Sequence, residues 1–116
     1  MLAKKTRISK QKDFDYIFKN GRVYRGRFMI LRIAPNVNDI SRFAIIVSKK
    51  ISNRATVRNL AKRRIKSIIS SLYDRMIGKV NIVISLKHFK KEIPFSEIHQ
   101  DLEELMIHAK ILKKNV

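Results

Sequence analysis

The sequence predicts an α+β fold in the order αβββαβα, with a small mixed sheet packed by helices. Apolar residues recur at three- and four-residue steps over residues 52–76 and 98–112, which is typical of amphipathic helices. Short apolar runs bounded by Gly, Pro, Asn or charged residues predict strands over residues 27–34, 42–48 and 79–86. The 116 residues contain no linker or repeat, so we expect a single domain over residues 1–116.

The first helix is predicted over residues 11–20. Residues 1–8, which precede it, are basic and show no period, and they predict a flexible arm. Gly21 would close the helix, with Asn20 as a left-handed residue at its end. One face of this helix would carry three apolar side chains, Phe14, Ile17 and Phe18.

Three strands follow the first helix. Residues 22–24 begin a strand, and Gly26 indicates a turn after it. The runs at 27–34 and 42–48 are separated by a loop rich in Pro, Asn and Asp, which predicts a hairpin. Because the run at 42–48 is continuously apolar, we expect that strand in the centre of the sheet.

The second helix is the longest, over residues 52–76, with either Ser52 or Thr56 as its N-cap and Gly78 ending it. A strand precedes it and another follows it. A strand–helix–strand connection of this length favours parallel pairing of those two strands.

The charge is strongly unbalanced. Lys and Arg number 27 against 9 Asp and Glu, and the net charge is +18. This balance favours a polyanionic partner, either nucleic acid or an anionic membrane surface. The second helix lacks the Trp, Phe and Leu face of an interfacial anchor, and no apolar run is long enough to span a bilayer. We therefore expect a cytoplasmic protein with no membrane association.

A basic stripe runs along the second helix beside its apolar face. Arg54, Arg58, Lys62 and Lys66 recur at four-residue steps. The helix contains a single acidic residue, Asp74, so the stripe is not neutralised by neighbours four residues away. Such a stripe can be an ordinary solvated face, but the overall charge favours a surface that binds a polyanion.

Catalytic chemistry is not evident in the chain. His99 and His108 are nine residues apart on the last predicted helix, so they do not converge. Asp13 and Asp15 are two residues apart on a helix and face different directions. The chain has no Cys and no metal-ligand spacing, so we expect no catalytic residue and no metal site in the polypeptide.

Residues 55–66, ATVRNLAKRRIK, resemble the RNR signature of the bacterial ribonuclease P protein family. The resemblance extends to VSKK at residues 47–50 and to DF and FKNG within residues 13–21, and it covers about residues 5–113. Two departures are visible. Leu60 stands where the signature most often has a second Arg, and the strand at 27–34 lacks the Tyr that some members carry.

The resemblance implies a subunit of an endoribonuclease in which a catalytic RNA with Mg²⁺ removes the 5′ leader of precursor tRNA. The partners would be that RNA and precursor tRNA, with Mg²⁺ held mainly by the RNA and no protein partner. The catalytic RNA would contact Ser48, Lys49, Lys50, Arg54, Arg58, Asn59, Lys62, Arg63 and Lys66. A cleft for the leader would be lined by Phe14, Phe18, Leu31, Arg58, Lys62 and Lys66.

A ribosomal-type structural RNA-binding protein is the main alternative, because it would share the charge and the small α+β form. The discriminating feature is the combination of an aromatic first helix with the basic second helix. A DNA-binding repressor would need a helix-turn-helix with two short, closely spaced helices, which the sequence does not contain.

Overall fold

The computed structural model describes residues 4–36 and 40–114. After a short 3-10 helix (Lys4–Thr6) the chain forms α1 (Gln11–Asn20), β1 (Arg22–Arg25), β2 (Met29–Pro35), β3 (Arg42–Ile46), α2 (Ala55–Leu72), β4 (Val80–Leu86) and α3 (Phe95–His108). A second 3-10 turn (Tyr73–Arg75) continues α2. The predicted order αβββαβα is confirmed.

The four strands form one mixed sheet in the order β1-β2-β4-β3. β1 pairs antiparallel with β2, β2 antiparallel with β4, and β3 parallel with β4. The parallel pairing across α2 is as expected from the strand–helix–strand connection. Helices α2 and α3 cover one face of the sheet and α1 the other.

The predicted hairpin between the runs at 27–34 and 42–48 is wrong, because β4 lies between β2 and β3. The hairpin is formed by β1 and β2 instead. The central position predicted for β3 is also wrong, since β3 is at the edge of the sheet and the more completely buried β4 is inside it. The apolar character of β3 has another cause: the N-terminal segment covers its outer edge, where the Ile8 N–H donates to the Phe43 carbonyl at 2.9 Å.

The predicted arm over residues 1–8 is packed where the structure describes it. Thr6 and Ile8 are buried, and Arg7 forms a parallel bridge with Phe43. Residues 1–3 lie outside the described residues. Residues 4–8 are therefore docked on the fold, and Ile8 joins the hydrophobic cluster between the sheet and α1.

The ends of the helices differ from the expected caps. Asn20 is the last residue of α1, and Gly21 has an extended backbone with φ of −69°. Gly21 is required by a close approach, because a Cβ there would lie 2.5 Å from the Ile17 carbonyl oxygen. α2 begins after Arg54, whose N–H donates to Ser52 Oγ, so neither Ser52 nor Thr56 is the N-cap.

α2 is also shorter than predicted, since its last residue is Leu72 rather than Met76. The chain passes through the 3-10 turn before Gly78, which has a φ of +77°. The apolar stripes of both long helices are confirmed. Residues of α2 and α3 pack together with β2 and β4 in the larger core cluster, which includes Ile65, Ile68, Ile69, Ile98 and Leu102.

Candidate RNA interface

Two of the basic residues of α2, Lys62 and Lys66, are displayed on one flank by the helix itself. Ala61, Ile65 and Ile68 anchor the opposite side in the core. At about 100° per residue, Lys62 and Lys66 then lie on one flank of the helix, beside the edge of the sheet. The helix is fixed in the core, so these cations are held in a line along it.

A groove runs between this flank of α2 and the N-terminal segment, with β3 between them. Its volume is about 1020 Å³. Thr6, Arg7 and Ile8 form one wall, and Phe14 of α1 adds an aromatic ring. The α2 wall and the β3 strand contribute Asn59, Lys62, Arg63, Lys66, Ser67, Ser70, Ser71, Phe43, Ala44, Ile45 and Ile46. We call this space the β3-edge groove.

The cations of the β3-edge groove are not neutralised by neighbouring acids. Within residues 4–36 and 40–114, the salt bridges join Arg27 to Glu97, Arg42 to Asp13, and Glu103 to Arg75 and His99. None of these pairs includes a groove cation. A groove with an apolar floor, one ring and uncompensated positive charge suits a flexible polyanion that carries bases.

The structure brings five of the predicted residues together in the β3-edge groove: Phe14, Asn59, Lys62, Arg63 and Lys66. Four more lie in the loop between β3 and α2 or at its end, and all are exposed: Ser48, Lys49, Lys50 and Arg54. The structure thus places these nine residues in two neighbouring groups, one lining the β3-edge groove and one in the β3–α2 loop that leads into α2.

Arg58 occupies a different place from the one predicted. It does not line the β3-edge groove; instead its Nη1 donates to the Ser52 carbonyl at 2.9 Å. The side chain is half-buried and holds the β3–α2 loop against the first turn of α2. Its clearest role in the structure is therefore to position that loop.

Leu31 is not available to a ligand, so its assignment to the leader cleft is wrong. Its side chain is 0% exposed and packs in the core with α2 and α3. Side chains alternate across a strand, so the face of β2 toward α1 carries its neighbours, Ile30 and Arg32. Both of these are partly exposed.

Phe18 lies apart from the β3-edge groove, on the α1 side of the sheet. Its ring is 47% exposed, and the Arg32 guanidinium lies 4.8 Å from its centroid. An arginine over an exposed ring is itself a planar surface for a base. Sequence reasoning missed Arg32. In the strand predicted at 27–34, Arg32 is next to Leu31 and so points to the opposite face of the sheet, which was a usable signal.

Two polar groups that position α1 were also missed. Arg42 Nη2 lies 3.2 Å from Asp13 Oδ2, and Arg42 Nε donates to Asn81 Oδ1. This partly buried pair ties the helix that carries Phe14 to β3 and β4. No local pattern indicates it, because the two residues are 29 positions apart.

The described residues contain no group of three or more His, Asp or Glu side chains that could hold a metal ion. None of the helices in the described part of the chain combines the length and apolar character needed to span a bilayer.

The family model described as ribonuclease P matches residues 2–110. The chain belongs to this ribonuclease P family. Among curated relatives, the ribonuclease P protein component of Macrococcus caseolyticus is 35% identical over 116 residues, covering 99% of each chain. That of Pseudanabaena is 30% identical over 116 residues, covering 99% of this chain and all of the relative.

A solved structure of the Staphylococcus aureus RNase P protein is 28% identical, with a TM-score of 0.83. The match covers 93% of this chain and 98% of that one. The family predicted from residues 55–66 is thus confirmed, and so is the fold. The similarity to ribonuclease P proteins extends over nearly the whole chain and over its fold.

Proposed function

We propose that this chain, as the ribonuclease P protein subunit, binds the catalytic RNA and the 5′ leader of precursor tRNA. The RNA, with Mg²⁺ that it holds itself, would carry out hydrolysis of the phosphodiester at the mature 5′ end. The protein's own residues bind and orient, and none performs a chemical step. The observation that carries the proposal is the β3-edge groove, which is lined both by the partly exposed Phe14 ring and by uncompensated cations of α2.

Single-stranded RNA is held by base stacking on rings beside a cationic track, and this groove has both. Phe14 supplies the ring, while Lys62 and Lys66 line the same groove from α2 and can contact phosphates. A second ring, Phe18, lies one helical turn further along α1. A leader that leaves the groove along α1 would therefore meet Phe18 and Arg32 next.

The test is cleavage of precursor tRNA by a bacterial ribonuclease P RNA at low Mg²⁺, with and without the protein. We expect the protein to stimulate cleavage, and to do so more strongly for a substrate with a 5′ leader than for one without. If the protein bound unrelated RNAs equally well and gave no stimulation, it would be a structural RNA-binding protein of the ribosomal type.

Phe18→Ala tests the ring beyond the groove. We expect KM to rise about 5- to 150-fold for leader-bearing substrate, equivalent to about 1–3 kcal/mol for one lost stack. KM for leaderless substrate should be unchanged, because Phe18 is exposed and its loss leaves no cavity. Tyr16→Ala is the matched control, since Tyr16 is also an exposed ring on α1 but lies elsewhere on the helix. Equal effects of Phe18→Ala on both substrates would remove Phe18 from the leader path.

Arg58→Ala tests whether Arg58 mainly positions the β3–α2 loop or contacts RNA directly, as predicted from the sequence. We expect the free energy of unfolding to fall by about 1 kcal/mol, since the Ser52 carbonyl loses a donor at a partly solvated site. The salt dependence of RNA binding should change less than it does for Lys62→Ala, which removes about one phosphate contact. A salt slope that fell as far for Arg58→Ala as for Lys62→Ala would restore Arg58 to the set of direct RNA contacts.

A further inference from the structure

A second basic surface is formed where three connections meet at one end of the sheet. β3 and β4 are parallel, so their carboxyl ends lie at the same edge. β2 is antiparallel to β4, so its amino end lies there too. The β1–β2 turn, the loop from β3 to α2 and the loop from β4 to α3 therefore share this end, which we call the loop end of the sheet.

The loop end is rich in exposed cations. These are Arg25 and Arg27 beside the β1–β2 turn, Lys49, Lys50 and Arg54 after β3, and Lys87, Lys90 and Lys91 after β4. Four strands about 4.8 Å apart make this end about 15 Å wide. The cations thus extend from the start of α2 across the whole width of the sheet.

Few acids offset this charge. Glu97 lies 3.3 Å from Arg27, and both are exposed. Asp101 accepts hydrogen bonds from the Arg27 and Phe28 backbone N–H groups, and Glu92 is exposed beside Lys91. In the described part of the chain, Lys87, Lys90 and Lys91 form no salt bridge.

The β4–α3 loop is held in place from two sides. The Phe28 carbonyl accepts from the Lys87 and His88 N–H groups at 3.0 and 3.3 Å. Arg64 Nη1 donates to the carbonyls of Lys91 and Ile93 at 3.3 and 3.4 Å. Arg64, two residues from Lys66, points about 160° away from it around α2 and serves this loop instead of the β3-edge groove. The lysines of the loop are consequently carried on a fixed backbone.

Few rings are exposed at the loop end; in the described part of the chain the exposed ones are His88 and Phe95, which is 42% exposed at the start of α3. Phe28 and Phe89 are only 4% and 5% exposed. Arg27 and Arg64 lie over these rings at 4.8 and 5.6 Å, and His88 stacks on Phe28. The exposed rings of the first helix, by contrast, are on the other side of the sheet. A surface whose exposed cations far outnumber its exposed rings fits the phosphate backbone of a folded RNA, which is recognised mainly by shape and charge.

We propose that Lys87, Lys90 and Lys91 form a second RNA contact that binds backbone phosphates of the folded catalytic RNA, separate from the β3-edge groove. The inference rests on the proposed function, since it names a further surface for the same partner. It extends the RNA-facing surface from α2 and the β3–α2 loop along the loop end of the sheet to the β4–α3 loop.

The test compares Lys87→Gln/Lys90→Gln/Lys91→Gln with Lys110→Gln/Lys113→Gln/Lys114→Gln. Both variants lose three exposed lysines, but the second set lies after α3 and outside both surfaces. Binding to a ribonuclease P RNA is measured over a range of salt concentrations. Three lost phosphate contacts should reduce the slope of log affinity against log salt by roughly 2 to 3. At 0.15 M salt the affinity should fall about 10- to 100-fold, while the control remains within a few-fold of wild type.

The preference of the holoenzyme for leader-bearing over leaderless substrate should remain as in wild type. A slope equal to that of the control would overturn the proposal. So would a loss of leader preference with unchanged RNA affinity, because the loop would then bind the single strand. Single Lys→Gln variants, each expected to reduce the slope by roughly 0.7 to 0.9, repeat the test should the triple variant unfold.

Failure of the proposed function would look different. In that case the wild-type protein itself would not stimulate cleavage and would not prefer the ribonuclease P RNA. The difference in salt slope between the two triple variants would still be measurable on any folded RNA, so the two failures are distinguishable.

Discussion

Replacing Lys62, Arg63 and Lys66 together with Gln is expected to lower the affinity for ribonuclease P RNA on the order of 100-fold at 0.15 M salt. These side chains line the β3-edge groove and form no salt bridge with the described residues, so their loss removes external contacts without leaving an unpaired acid. The slope of log affinity against log salt should fall by roughly 2 to 3, because each phosphate contact releases about one counterion.

The matched control for this variant is again the triple Lys→Gln change at residues 110, 113 and 114. Unlike the variant of the β4–α3 loop, the α2 variant should also reduce the preference for leader-bearing substrate, since the same cations line the groove with Phe14. A lower affinity with a salt slope equal to wild type would show that these residues do not contact phosphates. Thermal unfolding should be nearly unchanged, because none of the three is buried.

Asp101→Ala is expected to lower the free energy of unfolding by about 2–3 kcal/mol, measured by urea denaturation. The carboxylate accepts two hydrogen bonds of 2.8 Å, from the backbone N–H groups of Arg27 and Phe28. Bonds to an ionised acceptor are stronger than neutral ones, and a part-buried N–H left without an acceptor adds its own cost. The hydrogen bond from the Arg27 N–H is exposed to solvent. The combined loss in the free energy of unfolding is therefore less than twice that of a buried hydrogen bond.

Glu104→Ala is the control for Asp101, since Glu104 is an exposed acid of the same helix that bonds only Gln100 among the described residues. We expect it to change the free energy of unfolding by less than about 0.5 kcal/mol. The loss in the free energy of unfolding for Asp101→Asn should lie between those for Asp101→Ala and Glu104→Ala, because an amide offers one acceptor oxygen. A loss for Asp101→Ala no larger than that for Glu104→Ala would mean that the β1–β2 turn does not depend on this clamp.

The buried face and the basic flank of α2 could be predicted because the sequence pattern that specifies them is local. Apolar residues at helical spacing are buried, and the cations beside them are displayed on a flank. Both properties follow from 3.6 residues per turn and need no knowledge of the remaining chain. The same reason accounts for α3, whose apolar stripe is also buried.

Strand pairing and strand faces could not be predicted in this way. The alternation of β2 correctly groups Leu31 with Met29 and Ile33, but a two-residue period does not say which group faces α1. An apolar strand such as β3 can be central or can be an edge covered by another segment. The position of β3 at the edge of the sheet depended on its pairing with β4, which is far along the chain, and on the contact between Ile8 and Phe43.

The amino-acid sequence by itself determined the order of the elements, the basic stripe of α2, the polyanionic partner class and the family. These rest on periodicity, composition and a contiguous signature, all of which act over a few residues. The tertiary structure alone decided that Phe14 lines one groove with Lys62 and Lys66, that Arg64 supports the β4–α3 loop, and that Asp101 clamps a turn 74 residues away. Such contacts join residues distant in the chain, and they exist only once the core has set the helices against the sheet.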